Sequence, residues 1–300
     1  MKDICAIAEI TKQGYYKGIN KASGQDYTNQ VIQAVEKIRK DHKRMSCRKI
    51  YWKVKDHVQV GRDNFEKIAF RSGYKIRKKR SVQKTTNGKG KPAYPNLIEG
   101  KIINGINQAF QSDIFYYSVD GQDRYGFTIK DIYSRRLLAL HFSKTLKAEE
   151  LVKAIKQAGA ERGTHVFENC IFHSDRGSQY ISHKAREVIQ NQYKMRSSMC
   201  VMPQENAYVE RIQGTLKQEY LDENELTIQG LNRMAKRIKY LYNQERPHYS
   251  LNMMSPVEFE AYIESIPEHK RPKQEIYKWE NGFQQLRDLL TKKKEAKKKV

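Results

Sequence analysis

His173-Ser174-Asp175-Arg176-Gly177-Ser178-Gln179-Tyr180 follows directly on the apolar run Val166, Phe167, Cys170, Ile171 and Phe172. An aspartate placed where a buried strand gives way to a loop is held by a rigid scaffold and still meets solvent. Gly177 and Ser178 fit a tight loop after it, where small residues let a substrate backbone approach. Two more acids stand in comparable settings. Glu210 lies within Asn206-Ala207-Tyr208-Val209-Glu210-Arg211-Ile212-Gln213-Gly214-Thr215-Leu216-Lys217, which reads as helix, and Asp113 opens the alternating stretch Ile114 to Val119. Strand, strand end and helix can each bring one hard oxygen ligand to a common point. Mg²⁺ is held by one or two carboxylates plus substrate phosphate oxygens, and a two-ion site needs a few such ligands on a stiff frame.

Working outward, alternation predicts antiparallel strands at Ile114–Val119, Gly126–Tyr133 and Arg136–Ser143, the first pair turned by Gly121-Gln122-Asp123-Arg124. A helix is expected from about Ala148 to Ala160, with Leu151, Val152, Ile155 and Ala158 inward, then a buried strand up to His173. A helix, a short strand at Lys194–Met199 and the Glu210 helix complete the pattern. Other acids compete for a role. Asp120 and Asp123 flank Gly121 and read as exposed turn residues. Asp131 reads as structural, pairing with Arg135 or Arg136, and Glu205 points to a different helix face from Glu210. His173 fits a strand-end structural role, although beside Asp175 it could also orient a carboxylate or a phosphate.

These blocks together resemble an insertion-sequence transposase of the orfB type, whose catalytic core belongs to the retroviral-integrase group of DDE enzymes. The resemblance runs from about residue 30 to residue 262. It rests on the His173–Tyr180 stretch and on the Glu210 helix with Thr215-Leu216-Lys217 and Glu219-Tyr220-Leu221. It rests also on Tyr242-Asn243-Gln244-Glu245-Arg246-Pro247-His248 with Leu251 and Ser255–Phe259, and on Ser112-Asp113-Ile114 with Asp131–Arg136. Phe110 stands where the family usually has Trp, and Phe115 where it commonly has Thr. The second and third acids are one residue closer than in the family, the gap falling in the loop Met199 to Gln204; loop length is cheap to change.

The resemblance implies an α/β core of the ribonuclease-H-like kind, a mixed five-stranded sheet with flanking helices, over residues 106–262. It implies Asp113, Asp175 and Glu210 as catalytic residues and ligands of two Mg²⁺ ions, for which Mn²⁺ can substitute. The implied activity is DNA transposition: cleavage at element ends, then strand transfer. Double-stranded DNA, as terminal inverted repeats and target, is the implied substrate, handled by a homo-oligomer and in some relatives with an upstream transposase partner product. Lys217 shares the Glu210 helix face two turns on and could meet a DNA end, and Arg246 and His248 are candidate phosphate contacts. A transposase-derived, non-catalytic DNA-binding protein is the alternative, and a nuclease for RNA–DNA hybrids is a third reading.

Bulk composition agrees. The 300 residues carry 57 Lys and Arg against 34 acids, a formal charge of +23, which suits a polyanionic partner because each phosphate neutralised releases counterions. Mean hydropathy is −0.84 and no apolar run approaches the 18 or so residues a membrane span needs. A cytosolic protein, at the bacterial nucleoid, is expected, with no membrane partner. Cys5, Cys47, Cys170 and Cys200 are scattered and suggest neither a disulfide framework nor a zinc site.

Residues 1–74 read as a small helical DNA-binding region. Val31, Ile32, Val35 and Ile38 fall at helical spacing, as do Ile50, Tyr51 and Val54, and a third helix begins after Asp63 as N-cap and stops at Gly73. A separate helix in the first twenty residues and a Tyr74–Arg77 strand complete a helix-turn-helix plan. In such folds the last helix lies in the major groove, and Arg62, Asn64, Lys67 and Arg71 are its candidate readers. Residues 75–105 read as a basic arm. There Lys75, Arg77, Lys78, Lys79, Arg80, Lys84, Lys89 and Lys91 occur with no acid from Lys75 to Lys91, a composition for an extended segment that follows phosphates. Residues 263–300 end in Lys292, Lys293, Lys294, Lys297, Lys298 and Lys299 behind a helical repeat of Trp279, Phe283, Leu286, Leu289 and Leu290.

Overall fold

The computed structural model describes residues 11–76, 92–164, 166–200, 207–222 and 227–277, and the side chains of most of 12–26 and of 207–208 fall outside it. The arm residues Arg77, Lys78, Lys79 and Arg80, the acid Glu205, and the tail from residue 278 lie outside the described residues. The chain divides into two compact units.

In the first unit the expected N-terminal helix lies in part outside the described residues, which exclude 1–10, and the part that is described, 12–20, belongs to a longer helix. One helix, α1, runs from Lys12 to Arg39, begun by Thr11, whose hydroxyl accepts from the Gly14 N–H at 3.0 Å. Helices α2 (Cys47–Val54) and α3 (Arg62–Arg71) follow. They close over Val31, Val35, Met45, Cys47, Ile50, Phe65 and Ala69, with Tyr51 tilted against Phe65. The N-cap of α3 is Gly61, while Asp63 sits in the first turn and pairs with Arg62 at 2.9 Å. Gly73, at φ +87°, supplies the left-handed residue that ends it. Tyr74–Ile76 form no strand: the Tyr74 hydroxyl donates to Glu36 at 2.6 Å and its carbonyl accepts from Arg39 at 2.8 Å, tying the segment to α1. Residues 217–222 and Arg246–Met253, which the sequence reading assigns to the core, cluster with these helices.

The second unit is built on β1 (Ala109–Val119), β2 (Gln122–Asp131), β3 (Leu137–Ser143), β4 (Ile171–Ser174) and β5 (Arg196–Met199). The strand order is β3-β2-β1-β4-β5. The first three are antiparallel, and β4 and β5 continue parallel to β1. This is a mixed five-stranded sheet of the ribonuclease-H-like kind. Residues Ala109–Ser112 of β1 are buried on both faces, as a central strand between helices must be. The β1–β2 turn is one step earlier than expected. Val119 pairs with Gln122, and Asp120 and Gly121 take φ of 51° and 70°, the two-residue hairpin that an Asp-Gly pair favours.

Helix α4 (Ala148–Arg162) lies on β2 and β3 and is stopped by Gly163 at φ +63°. After a single turn at Ser178–Ile181, α5 (His183–Arg186) widens into a π-helical turn through Gln192. Helix α6 (Ala207–Thr215) likewise passes into a π-helical segment, Leu216–Leu221. Helices α7 (Leu231–Tyr240) and α8 (Pro256–Glu264) follow, the latter begun by a capping box of Ser255 and Glu258. Phe110, Phe127, Ile129, Leu151, Ile155, Phe167, Phe172 and Tyr193 lead the core between α4, the sheet and the α5 segment.

The outer strand β3 is closed by side-chain amides. Asn232 accepts from the Phe142 N–H at 3.0 Å and donates to its carbonyl at 3.2 Å. Asn243 does the same for Leu137, both bonds at 2.9 Å. An open strand edge is a template for unwanted pairing, and these amides occupy it.

Candidate active site

Strand register brings the first two acids together. Ser112 on β1 faces Ser174 on β4 in a parallel ladder, and Asp113 and Asp175 each come one residue later. Side chains on neighbouring parallel strands at equivalent positions share a face at a separation of about 4.8 Å. Both carboxylates are half-buried. Asp113 accepts from its neighbour Ile114 N–H at 2.9 Å through Oδ1 and from the Gln213 amide at 2.7 Å through Oδ2. Asp175 accepts from the Gly177 N–H at 3.0 Å. A Cβ at Gly177 would stand 3.1 Å from the Asp175 carboxylate and 2.9 Å from Gln179 Oε1, so a larger residue there would press on the acid and displace the Gln179 side chain.

The third acid comes from α6. Val209, Ile212 and Leu216 are buried, and the helix packs on β1 and β2. Glu210 stands on its exposed side. It is close enough to add to the negative field at Asp113, whose carboxyl is pushed up to about 7, first by burial and next by the Asp175 charge. Burial also raises Asp175 and Glu210 above the usual carboxylate range. Two neutral donors, the Ile114 N–H and the Gln213 amide, pull the other way at Asp113.

That charge pattern fits a divalent cation. Carboxylates brought together without positive partners titrate upward until a cation joins them. Among the described residues no three His, Cys, Asp or Glu side chains stand together closely enough to hold a metal ion by themselves. An open set of carboxylates is the arrangement Mg²⁺ uses when substrate phosphates complete its shell.

The remaining candidates divide. Arg62, Asn64, Lys67 and Arg71 line the exposed side of α3, with Lys75 exposed beyond it, its ammonium 5.9 Å from the Phe70 ring centroid. Arg246 and His248 are buried. Arg246 forms a bidentate pair with Glu219, both bonds at 2.7 Å, and lies 3.5 Å from the His248 ring. Lys217 begins the segment that clusters with the same helical unit. Around it Lys49 is buried beside Arg246, which with desolvation brings its amine down to about 7, and His42 bonds the Tyr220 hydroxyl at 3.0 Å.

His173 is wholly buried, bonds Ser198 at 2.9 Å, and is pushed down to about 4 by burial, so it is neutral at pH 7. Asp131 is structural, as read, but its partner is Arg162 at 2.9 Å, not Arg135 or Arg136. It also accepts from the N–H groups of Asn107, Tyr133 and Ser134. Arg136 pairs instead with Glu161 and Glu260. The two departures from the family pattern are packing positions. Phe110 lies edge-on to Phe167. Phe115 covers Gly126 on the facing strand, where a Cβ would come within 2.5 Å of its ring.

Two models of the integrase core domain match the sequence, one over residues 104–202 and one over 193–256, jointly just over half of the chain. The chain belongs to the integrase-core transposase family. Among its relatives, an uncharacterized 31 kDa protein of insertion element IS600 from Shigella sonnei is 26% identical over 85% of this chain and 97% of its own. The transposase of IS904 from Lactococcus lactis is 28% identical over 56% of this chain and 67% of its own. Among solved structures, a simian T-cell lymphotropic virus intasome in complex with a PP2A regulatory subunit is 15% identical, with a TM-score of 0.47, covering 72% of this chain and 71% of that one. Among the described residues no helix is long and apolar enough to cross a membrane.

Proposed function

We propose that this transposase-family chain is a catalytically competent, Mg²⁺-dependent enzyme that cuts the ends of a DNA element and joins them to a target. The observation that carries this reading is the approach of Asp113 and Asp175, each one residue past the last register pair of two adjacent parallel strands, with Glu210 adding to the field at Asp113. Those three residues would hold two Mg²⁺ ions, or Mn²⁺ in their place. When bound, such ions activate a water or a 3′-hydroxyl and stabilise the leaving 3′-oxygen, with no covalent enzyme intermediate required. The chain itself sets the geometry. The β1–β4 register fixes two acids, and the small Gly177 admits a phosphate backbone beside Asp175. The exposed basic side of α3 and the arm residues Lys75, Arg77, Lys78, Lys79 and Arg80 would follow duplex phosphates and hold terminal repeats. Because one active site acts on one strand at a time, two ends call for at least two copies of the chain, alone or with an upstream partner product.

The test is end cleavage and strand transfer on a duplex carrying the element's own terminal repeat, with and without Mg²⁺. Metal-dependent joined product that disappears in Asp175→Asn is the expected result. Tight duplex binding with no metal-dependent cleavage under any condition would instead establish the non-catalytic DNA-binding alternative.

A further inference from the structure

We infer that Gln213 is a positioning residue that locks the third acid of the site against the first. This rests on the metal-dependent reading of Asp113, Asp175 and Glu210 above. Asp113 and Asp175 owe their relation to backbone ladder bonds, which fix register to the residue. Glu210 has no such guarantee. Its helix is seated on β1 and β2 by Val209, Ile212 and Leu216, and apolar contacts are non-directional, so they allow sliding and rotation that a metal site cannot tolerate. One directional bond removes that freedom. The Gln213 amide donates to Asp113 Oδ2 at 2.7 Å across 100 residues of sequence. Gln213 follows Glu210 by three positions, so both project from one side of α6. Rotating the helix by one residue would swing them through about 100° and break the bond.

The chemistry of the amide suits the task. Its N–H stabilises a carboxylate without adding charge, and each carboxylate oxygen has a second lone pair. With Oδ1 engaged by the Ile114 N–H and Oδ2 by Gln213, both oxygens of Asp113 keep one lone pair aimed by a fixed donor. Outer hydrogen bonds of this kind orient ligands, and their loss costs roughly 10–100-fold in metal affinity. A lysine here would bring its own cation, and a glutamate a further negative charge.

The experiment measures divalent binding to the full chain by titration calorimetry with Mn²⁺, without DNA, alongside the Mg²⁺ concentration that half-saturates end cleavage. Gln213→Leu should weaken Mn²⁺ binding and raise the half-saturating Mg²⁺ by roughly tenfold or more, with unchanged duplex affinity and thermal midpoint. Gln213→Asn, which keeps the amide on a shorter stem, should fall between. In a double-mutant cycle on Mn²⁺ affinity, Glu210→Gln should cost less in the Gln213→Leu background than alone, because the misplaced helix has already forfeited that ligand. Wild-type Mn²⁺ affinity in Gln213→Leu, or fully additive losses, would overturn the inference. If Asp175→Asn also binds Mn²⁺ as the parent does, the metal-site reading itself has failed. If only Asp175→Asn loses the ion, Gln213 alone has been misassigned. Should Gln213→Leu misfold, Gln213→Asn and Gln213→Met carry the same comparison.

Discussion

Asp113, half-buried, and Asp131, wholly buried, lie on neighbouring strands of one sheet, and burial raises both carboxyls, yet the groups around them differ in kind. Around Asp131 every charge is matched. Arg162 bridges Asp131 and Glu260, Arg136 bridges Glu260 and Glu161, and Lys239 closes on Glu161. Burial pushes the Asp131 carboxyl up and prevails, although Arg162 and two backbone N–H groups pull against it. Around Asp113 the donors found among the described residues, the Ile114 N–H and the Gln213 amide, are neutral, and the next carboxylate pushes the same way as burial. A fold that pairs three acids with three bases at one place and leaves acids facing each other at another has the asymmetry that the metal-dependent reading proposed above requires.

Breaking the unmatched side should show most in activity. Asp175→Asn, Glu210→Gln and Asp113→Asn should each reduce end cleavage by roughly a thousandfold or more, since an under-liganded site forfeits several kcal/mol of transition-state charge stabilisation. Duplex affinity should hold within about twofold. Strand transfer surviving in any one of them would remove that acid from the site, and if Asp120→Asn proved the dead variant the first acid would be misplaced.

Breaking the matched side should show in stability instead. Arg162→Met strands Asp131 in the interior and should cost about 3–5 kcal/mol in urea unfolding. A loss under about 1 kcal/mol would mean that the backbone N–H groups alone suffice for Asp131.

A pH series on metal-free protein separates the two regions more finely. Burial and the Asp175 charge push the Asp113 carboxyl from its ordinary 3.8 up to about 7 in the folded chain, so between those values the folded state keeps a proton that the unfolded state has released. Its contribution to stability therefore falls as pH rises from about 4 to about 7 and stays low above that. Asp113→Asn should stabilise the metal-free protein by roughly 1–2 kcal/mol at pH 8 and by nothing near pH 4. Added Mg²⁺ should narrow the gap by stabilising the parent alone. Equal midpoints at pH 8 would show that the carboxylates are better solvated than their burial suggests.

The smallest effect belongs to the helical unit. Lys67→Ala on α3 should lower the slope of log affinity against log salt by about 0.9, one phosphate contact. An unchanged slope would leave that face of α3 merely solvated.

What could be read in the sequence followed the range of the interaction. Asp175 was legible because an apolar run ends beside it and Gly177 follows, all within a dozen residues. The strands were legible from alternation, although the Asp120-Gly121 turn was missed by a residue because Gly121 was read as opening the turn instead of closing it. Partnerships over long separations were not legible. Arg162 lies a helix away from Asp131, and the nearer Arg135 and Arg136 were the natural guesses. The bidentate hold of Glu219 on Arg246 likewise draws inward an arginine that its motif offers to phosphate. Gln213 left one usable signal, its place three residues past Glu210, but an amide on a helix face has many blander explanations.

The asparagines on β3 also have a meaning in time. Leu137 and Asn243 are 106 positions apart, so on the ribosome the strand edge is made long before its cover. At about 5–20 residues per second, the edge stays bare for roughly 5–20 s. During that interval neighbouring nascent chains on one message carry the same open edge side by side. The segment from Asn232 to Asn243 therefore decides when the sheet stops being able to recruit a stranger, and a chain interrupted before it would leave the ribosome with that edge uncovered.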